Sequence, residues 1–381
     1  MNRDKVHFGY LFAGVATLVS VSFLDNIRGP LLPVICDKLG LSYSYGGIFL
    51  TIGNFAAVLS TLAMGQALKR VSERKVTLFI CLFCSLPGLI APFTNNLIRL
   101  LLLGLVMGAA VALMGSICNI LTIKGSPLHL RGRLLSIQQM TYGIGSFLGP
   151  VAFAFFFKRE FPWWSAILLM SVVNLILAAT IAKVVPEEPV ANTNESLNSN
   201  VSFRLMLPVV LFAIYVGGEV LTSMWMSTFF LKVAGLSNIE ASHLTSLFFV
   251  AISGSRLLSF LFLRPKWERT AMIASLLAGI IFLILALHGH PKFLPLAGLM
   301  GPFFPLFMAQ VSRVFPEQWK SMTIWIFAAI QTSLGIIHLS VGNLADAIGI
   351  HNAFHLAPGM IVISLLLTAL FFKKNPVNID R

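Results

Sequence analysis

Charge is scarce in this sequence. Only 11% of its 381 residues are Asp, Glu, Lys or Arg, less than half of the roughly 25% carried by soluble domains. A chain so poor in charge cannot cover a water-facing surface, which excludes the two or three soluble domains that this length would ordinarily imply. Cysteine is scarce as well, and four residues give no disulfide framework. Cys81, Cys84 and Cys118 lie inside apolar stretches and Cys36 lies near the end of another. The Cys81-x-x-Cys84 spacing resembles a redox or metal motif, but it sits in a lipid-type segment without His or Asp beside it and reads as packing. Also missing are a small-residue cleavage site after the first apolar segment, a Gly-Lys-Ser/Thr phosphate loop and a zinc-ligand cluster. A cleaved leader, ATP-driven pumping, metalloprotease chemistry and a soluble catalytic domain are therefore not expected: the chain reads as a non-enzyme with no metal.

Hydrophobic residues, by contrast, make up 57% of the chain, and several apolar runs reach the ~20 residues that a helix needs to cross a bilayer. Read against helix breakers, these runs predict spans near 8–34, 46–68, 76–95, 100–124, 136–157 and 163–185. A second set follows near 206–231, 241–263, 270–288, 293–313, 322–342 and 353–372. The fold class is an all-α membrane protein of twelve transmembrane helices in two pseudo-symmetric six-helix bundles. The expected domains are an N-terminal bundle over 1–185, a cytoplasmic linker over 186–205 and a C-terminal bundle over 206–381. The linker is polar and lacks hydrophobic periodicity. Its Asn194-Glu195-Ser196 and Asn200-Val201-Ser202 match the glycosylation acceptor pattern, which carries little weight on a segment expected in the cytoplasm.

The net charge of +13 does not point to nucleic acid, because the basic residues fall mainly in short loops between spans. Nineteen Lys and Arg lie on the side that bears both termini and seven on the other. This bias puts both termini in the cytoplasm. LGLS at 39–42 and AGLS at 234–237 stand just before the second span of each half, 195 residues apart. The same offset carries Ser60 onto Ser255 and Asp25 to within one residue of Glu219. Parallel halves around a central site are one transporter design.

Twelve spans, a 6+6 division and cytoplasmic termini resemble the major facilitator superfamily. That family's loop between spans 2 and 3 is matched here by Gly65, Arg70, Arg74 and Lys75, while Lys69 stands in place of the usual acid and Ser72 in place of the second glycine. A related pattern, Gly342-x-x-x-Asp346-x-x-Gly349, ends span 11. The resemblance implies gating or structural roles for Gly65, Arg70 and Asp346. YVGGEV at 215–220, Trp225, AGLS, SGSRLL at 253–258 and LAGLMGPFFP at 296–305 are similar to the fucose-permease-like branch of sugar transporters. Members of that branch often carry an acid one turn before an Asn in span 4. Asn119 is present, but Gly115 occupies the acid's place.

An ionisable side chain deep in lipid costs roughly 2.5–3.5 kcal/mol on insertion scales, so each one calls for a reason. Glu219, near the middle of span 7, has no cation in its own helix. Two readings stand: a carboxyl that takes a proton from one side and releases it to the other, or a permanent ion pair with Arg256 of span 8. Asp25 and Arg28 are three apart in span 1 and are spaced to pair on one face, with either a coupling or a purely structural role. GPLLP at 29–33 predicts a kinked or frayed outer end of that helix. Tyr215, Glu219, Thr222 and Met226 share one helical face.

Uncharged polar groups add candidate solute contacts: Asn54, Asn119, Gln138, Tyr142, Gln310, Gln331 and His338, with Trp225 or Trp325 for a ligand's apolar faces. All lie on spans that line the cavity in the family the chain resembles, although for any one amide helix–helix bonding is the commoner role. Gly143, Gly145, Gly149 and Pro150 predict close helix contact in span 5. Together these features predict a secondary active transporter working by alternating access. Proton-coupled symport of a small polar solute is expected, with a sugar first. Glu219 and Asp25 would couple protons, and Tyr215, Trp225 and Arg256 would join the amides at the solute. The alternative is export of an amphipathic or anionic metabolite, drug or siderophore on Arg256 and Arg28. No cofactor is expected beyond the proton gradient. The expected partners are substrate, protons and the lipid bilayer, with no nucleic acid, for a monomer spanning the plasma membrane, a bacterial inner membrane first.

Overall fold

In the computed structural model, residues 6–127, 130–187, 206–315 and 319–375 are described. The Asn194 and Asn200 acceptor patterns and all of the expected linker after Glu187 lie outside the described residues. Twelve helices among those described are long and apolar enough to cross a membrane. The first six are Phe8–Leu39, Tyr43–Ala67, Glu73–Phe93, Leu97–Gly125, Ile137–Lys158 and Ser165–Val184. The second six are Met206–Lys232, Asn238–Phe262, Glu268–Leu287, Pro291–Val314, Trp325–Ile348 and Ile350–Lys374. They are called spans 1 to 12 below. The chain divides into two compact units, Met1–Glu195 and Ser196–Arg381.

The largest boundary differences from the sequence reading are at span 1, which runs five residues further, and span 11, which runs six further. Both have a local cause. Pro30 brings no N–H for the carbonyl of Asn26 and breaks the helix at Ile27 without ending it; the chain continues as helix from Arg28 to Leu39 with Pro33 inside it. This end of span 1 is therefore interrupted but not frayed. Span 11 continues through Asp346 until Gly349, at φ +83°, stops it.

The repeat seen in the sequence has a backbone counterpart. Gly40 and Gly235 both terminate a helix in the left-handed region, at φ +63° and +64°, where a side chain would be strained. Ser42 and Ser237 then open spans 2 and 8 in extended conformation, and Ser237 adds a full capping box with Glu240. At the same 195-residue offset, Glu73 and Glu268 open spans 3 and 9. Each holds the far end of the following span: Glu73 pairs with Lys124 at 2.8 Å and Glu268 with Arg313 at 2.7 Å. This acid pair was not singled out in the sequence.

The two units are packed differently. In the first, spans meet at glycines: a methyl group on Gly108 would overlap the backbone of Gly53, and one on Gly145 would overlap Val19 and Ser22. Gly149 sits likewise against Phe23, so the close contact expected of span 5 is formed. In the second, aromatic rings fill the gaps. Tyr215 packs on Phe303, Phe303 on Phe307 and Phe307 on Phe212, and Phe371 meets Phe307 edge-on. Ten of the twelve largest fully buried side chains belong to this unit.

Candidate functional site

Each unit assembles one carboxylate, one arginine and one tyrosine. In the first, the break at Ile27 lets Arg28 fold back one turn. Its guanidinium pairs with the Asp25 carboxylate, and its Nε donates to the Asp25 carbonyl at 3.1 Å. Arg28 lies beside Gly53 of span 2, where an added methyl group would press on the Gly104 carbonyl and touch the Arg28 guanidinium. The second Asp25 oxygen accepts the Tyr142 hydroxyl of span 5 at 3.0 Å. Asn26 ties the same two helices together, its amide reaching Tyr142 Oη at 3.1 Å and Ser146 Oγ at 2.9 Å.

In the second unit, Glu219 of span 7 meets Arg256 of span 8 at 3.2 Å. The side chains are 16% and 26% exposed, so the pair is mostly but not wholly enclosed. One turn earlier on span 7, the Tyr215 hydroxyl lies 2.5 Å from Glu219 Oε2 and 3.0 Å from the Met300 carbonyl. Arg256 Nε donates to the Gly301 carbonyl at 3.0 Å. Those two carbonyls stand where span 10 changes from a 3-10 helix, Pro291–Met300, to an α-helix, Phe303–Val314. Such a junction leaves backbone acceptors without an intrahelical donor, and Tyr215 and Arg256 supply the donors.

The remaining sequence candidates separate into reachable and enclosed groups. Asn119 is half-buried and accepts from Gln139 Nε2 of span 5 at 2.9 Å, while its own amide donates to Gly115 O at 3.1 Å. Asn54 is half-buried, and its amide nitrogen has no hydrogen-bond partner among the described residues. Gln331 is half-buried on span 11. Trp325 is 45% exposed and lines a cavity of about 550 Å³ between spans 7 and 11, with Met206, Thr332 and Ser333.

Five of the expected solute contacts are enclosed in this conformation. Trp225 is fully buried, with its indole N–H donating to His338 at 3.3 Å. His338 is 3% exposed. Gln138 turns into the unit toward the Gly14 carbonyl at 3.4 Å. Gln310 donates to Glu268 at 2.9 Å, at the span 9–10 lock. Tyr215 is fully buried. These side chains hold helices together here, and the span-5 amide that is open is Gln139, which sequence reasoning passed over for its neighbour. Gly65 has no packing neighbour within reach of a Cβ, and Arg70 and Asp346 are exposed. In the loop between spans 2 and 3, Arg74 and Lys75 instead hold Glu187, at 3.6 and 2.7 Å. The Lys75 ammonium keeps the Glu187 carboxyl below its usual range.

The model for the Major Facilitator Superfamily matches residues 14–337. A glucose/galactose transporter of Brucella abortus biovar 1 (strain 9-941) is 24% identical over 379 residues, 92% of this chain and 91% of that protein. The purine ribonucleoside efflux pump NepI of Escherichia coli (strain K12) is also 24% identical, over 357 residues, 88% of this chain and 83% of its own. Among solved structures, a D-xylose-proton symporter superposes with a TM-score of 0.79 at 14% identity, over 96% of this chain and 97% of that one. The nucleoside transporter NupG gives 0.76 at 15%, over 96% and 100%. At these identities the structures speak for the fold alone.

Proposed function

The chain belongs to the Major Facilitator Superfamily, and on that footing we propose proton-coupled symport of a small polyhydroxylated solute, a sugar first, with Glu219 as the proton carrier. The family membership makes it a multi-pass membrane transporter and not an enzyme; the solute and the coupling are our reading. The observation that carries the reading is the partly exposed Glu219–Arg256 pair. A carboxylate held across two helices by one guanidinium, and 16% exposed, has a charged partner to leave when a proton neutralises it. Moving one charge through a 100 mV potential supplies ~2.3 kcal/mol for uphill transport before any pH gradient. Asp25, held by Arg28 and Tyr142, is on this reading a fixed, neutralised charge rather than a second proton carrier.

Solute recognition falls to the reachable amides: Asn119 with Gln139, Asn54 and Gln331. An amide offers a donor and an acceptor side by side, which suits the vicinal hydroxyls of a sugar ring. Trp325 and the apolar cavity beside it suit the ring's C–H face. The second reading is export of a nucleoside or an anionic metabolite, favoured by the same 24% identity to a purine ribonucleoside efflux pump, over a somewhat shorter stretch. Hexoses and ribonucleosides share a hydroxylated ring, so the same amides serve either.

The test is proton flux in proteoliposomes with a pH-sensitive dye, with sugars, ribonucleosides and sugar acids added in turn. Sugar-driven alkalinisation outside, absent in Glu219→Gln, supports the symport reading. A response to nucleosides alone moves the assignment to the second reading, and full activity in Glu219→Gln sinks the carrier role.

A further inference from the structure

A tyrosine hydroxyl has one hydrogen to donate, and Tyr215 faces two acceptors. Glu219 Oε2 is at 2.5 Å and the Met300 carbonyl at 3.0 Å. The ring is fixed, being fully buried and packed on Phe303 with centroids 4.5 Å apart, so the choice between the acceptors is a rotation of the O–H alone. We propose that Tyr215 is a positioning residue whose hydroxyl hydrogen turns from Glu219 to the Met300 carbonyl when Glu219 takes up a proton. This rests on the carrier reading of Glu219.

The bonds balance without any further reactant. With Glu219 ionised, Tyr215 donates to the carboxylate, and Arg256 bridges that carboxylate to the Gly301 carbonyl. With Glu219 protonated, the carboxyl O–H donates to Tyr215 Oη, and the phenol hydrogen is released to Met300 O. The tyrosine keeps its proton throughout. Arg256 meanwhile loses its counter-charge and keeps Gly301. Both connections end on adjacent residues at the break in span 10, so the protonation state of one carboxyl is written into the backbone bonding of a neighbouring helix.

Among the described residues, the charged groups acting on Tyr215 are Glu219 and Arg256. Span 8 contributes Arg256, span 10 contributes carbonyls and Phe303, and span 12 meets this part of span 7 with Met360 and Ile361. The titratable group of span 11 against span 7, His338, is bonded to Trp225, ten residues further along the chain from Tyr215.

The experiment is a pH titration of the purified full-length protein in lipid nanodiscs, followed by infrared difference spectroscopy of the protonated-carboxyl C=O stretch. No substrate is needed. The band lost in Glu219→Gln is assigned to Glu219. In Tyr215→Phe that band is expected at higher frequency, since its hydrogen bond is gone. Phe303→Leu, which changes the packing but keeps the hydroxyl, should leave the band where it is. An unchanged band in Tyr215→Phe, with the Glu219 band present, overturns the switch and leaves the carrier reading standing. Absence of any Glu219-dependent band across the titration overturns both. Should Tyr215→Phe fail to fold, ring-deuterated tyrosine in the wild type gives the same answer. The C–O stretch of one tyrosine must shift in step with the Glu219 band, and no shift refutes the switch.

Discussion

The two units hold the same three side-chain types with opposite wiring. In the first, acid and arginine share span 1 and the tyrosine comes from span 5. In the second, acid and tyrosine share span 7 and the arginine comes from span 8. An ion pair three residues apart on one helix moves with that helix and survives a shift of its neighbours. A pair that bridges two helices is undone when one slides on the other. On the carrier reading proposed above, Asp25–Arg28 is fixed charge neutralisation and Glu219–Arg256 a breakable contact, a distinction already visible in the sequence, where Asp25 has Arg28 three residues away and Glu219 has no cation beside it. Glycine contacts differ in kind as well. Backbone rests on backbone at Gly53 and Gly108 in the first unit and at Gly298 in the second, whereas flexible side chains such as Ile337 and Met360 lie against Gly217.

The hardest test of this contrast is steric. Gly108→Ala should force spans 2 and 4 apart and destabilise the protein by more than about 3 kcal/mol, at or beyond the upper range for overpacking. Gly217→Ala, which meets only side-chain ends, should cost about 1 kcal/mol as they rearrange. Thermal melting in detergent compares the two, and equal losses would erase the packing difference. Next in size, Glu219→Gln should abolish proton-driven accumulation while sparing solute counterflow, whereas Asp25→Asn should lower both several-fold without uncoupling them. Uncoupling by Asp25→Asn would reverse the assignment of the two pairs. Arg256→Ala leaves a carboxylate without its counter-charge and should destabilise by on the order of 2 kcal/mol, below the roughly 3–5 of a fully buried pair because this one is partly wet. Arg28→Ala, deeper at 9% exposure, should lie nearer the full figure. Denaturation midpoints of the two variants measured together decide that ranking.

The smallest effect is expected at Glu187, exposed and paired with Lys75 and Arg74. Its carboxyl titrates below the usual range, so whatever the contact contributes is present at neutral pH and is lost as pH falls through that lowered value. Glu187→Gln should leave the melting temperature almost unchanged at neutral pH and unchanged in acid. A large loss would mean that this contact, and not packing, holds the end of span 6.

The twelve spans could be read from the sequence because a bilayer imposes a length of about 20 residues, and hydropathy averages over just that length. The Asp25–Arg28 pair was legible from a spacing of three. What escaped depends on helix rotation. Successive residues on a helix point about 100° apart, so choosing Gln138 over Gln139 reverses which amide faces inward, and no periodic signal in this glycine-rich span separates them. The bond from Tyr142 to Asp25 and those from Tyr215 and Arg256 to span 10 join segments between 45 and 117 residues apart. Hydropathy says nothing of such partners. The carbonyls of Met300 and Gly301 carry no side-chain signature at all; only the Gly-Pro step at 301–302 hinted that the backbone there is irregular.

The matching glycine turns and opening acids set a rule about length as well as identity. Gly40 leads to Glu73, and Gly235 to Glu268, over the same number of residues, with a whole span between turn and lock. Inserting or deleting one residue there would swing everything downstream by about 100°, carrying Gly53 off Gly108 in one unit and Arg256 off Glu219 in the other. Descendants of this chain can therefore exchange side chains along spans 2 and 8 far more freely than they can change the spacing, and gaps in aligned relatives should avoid both segments.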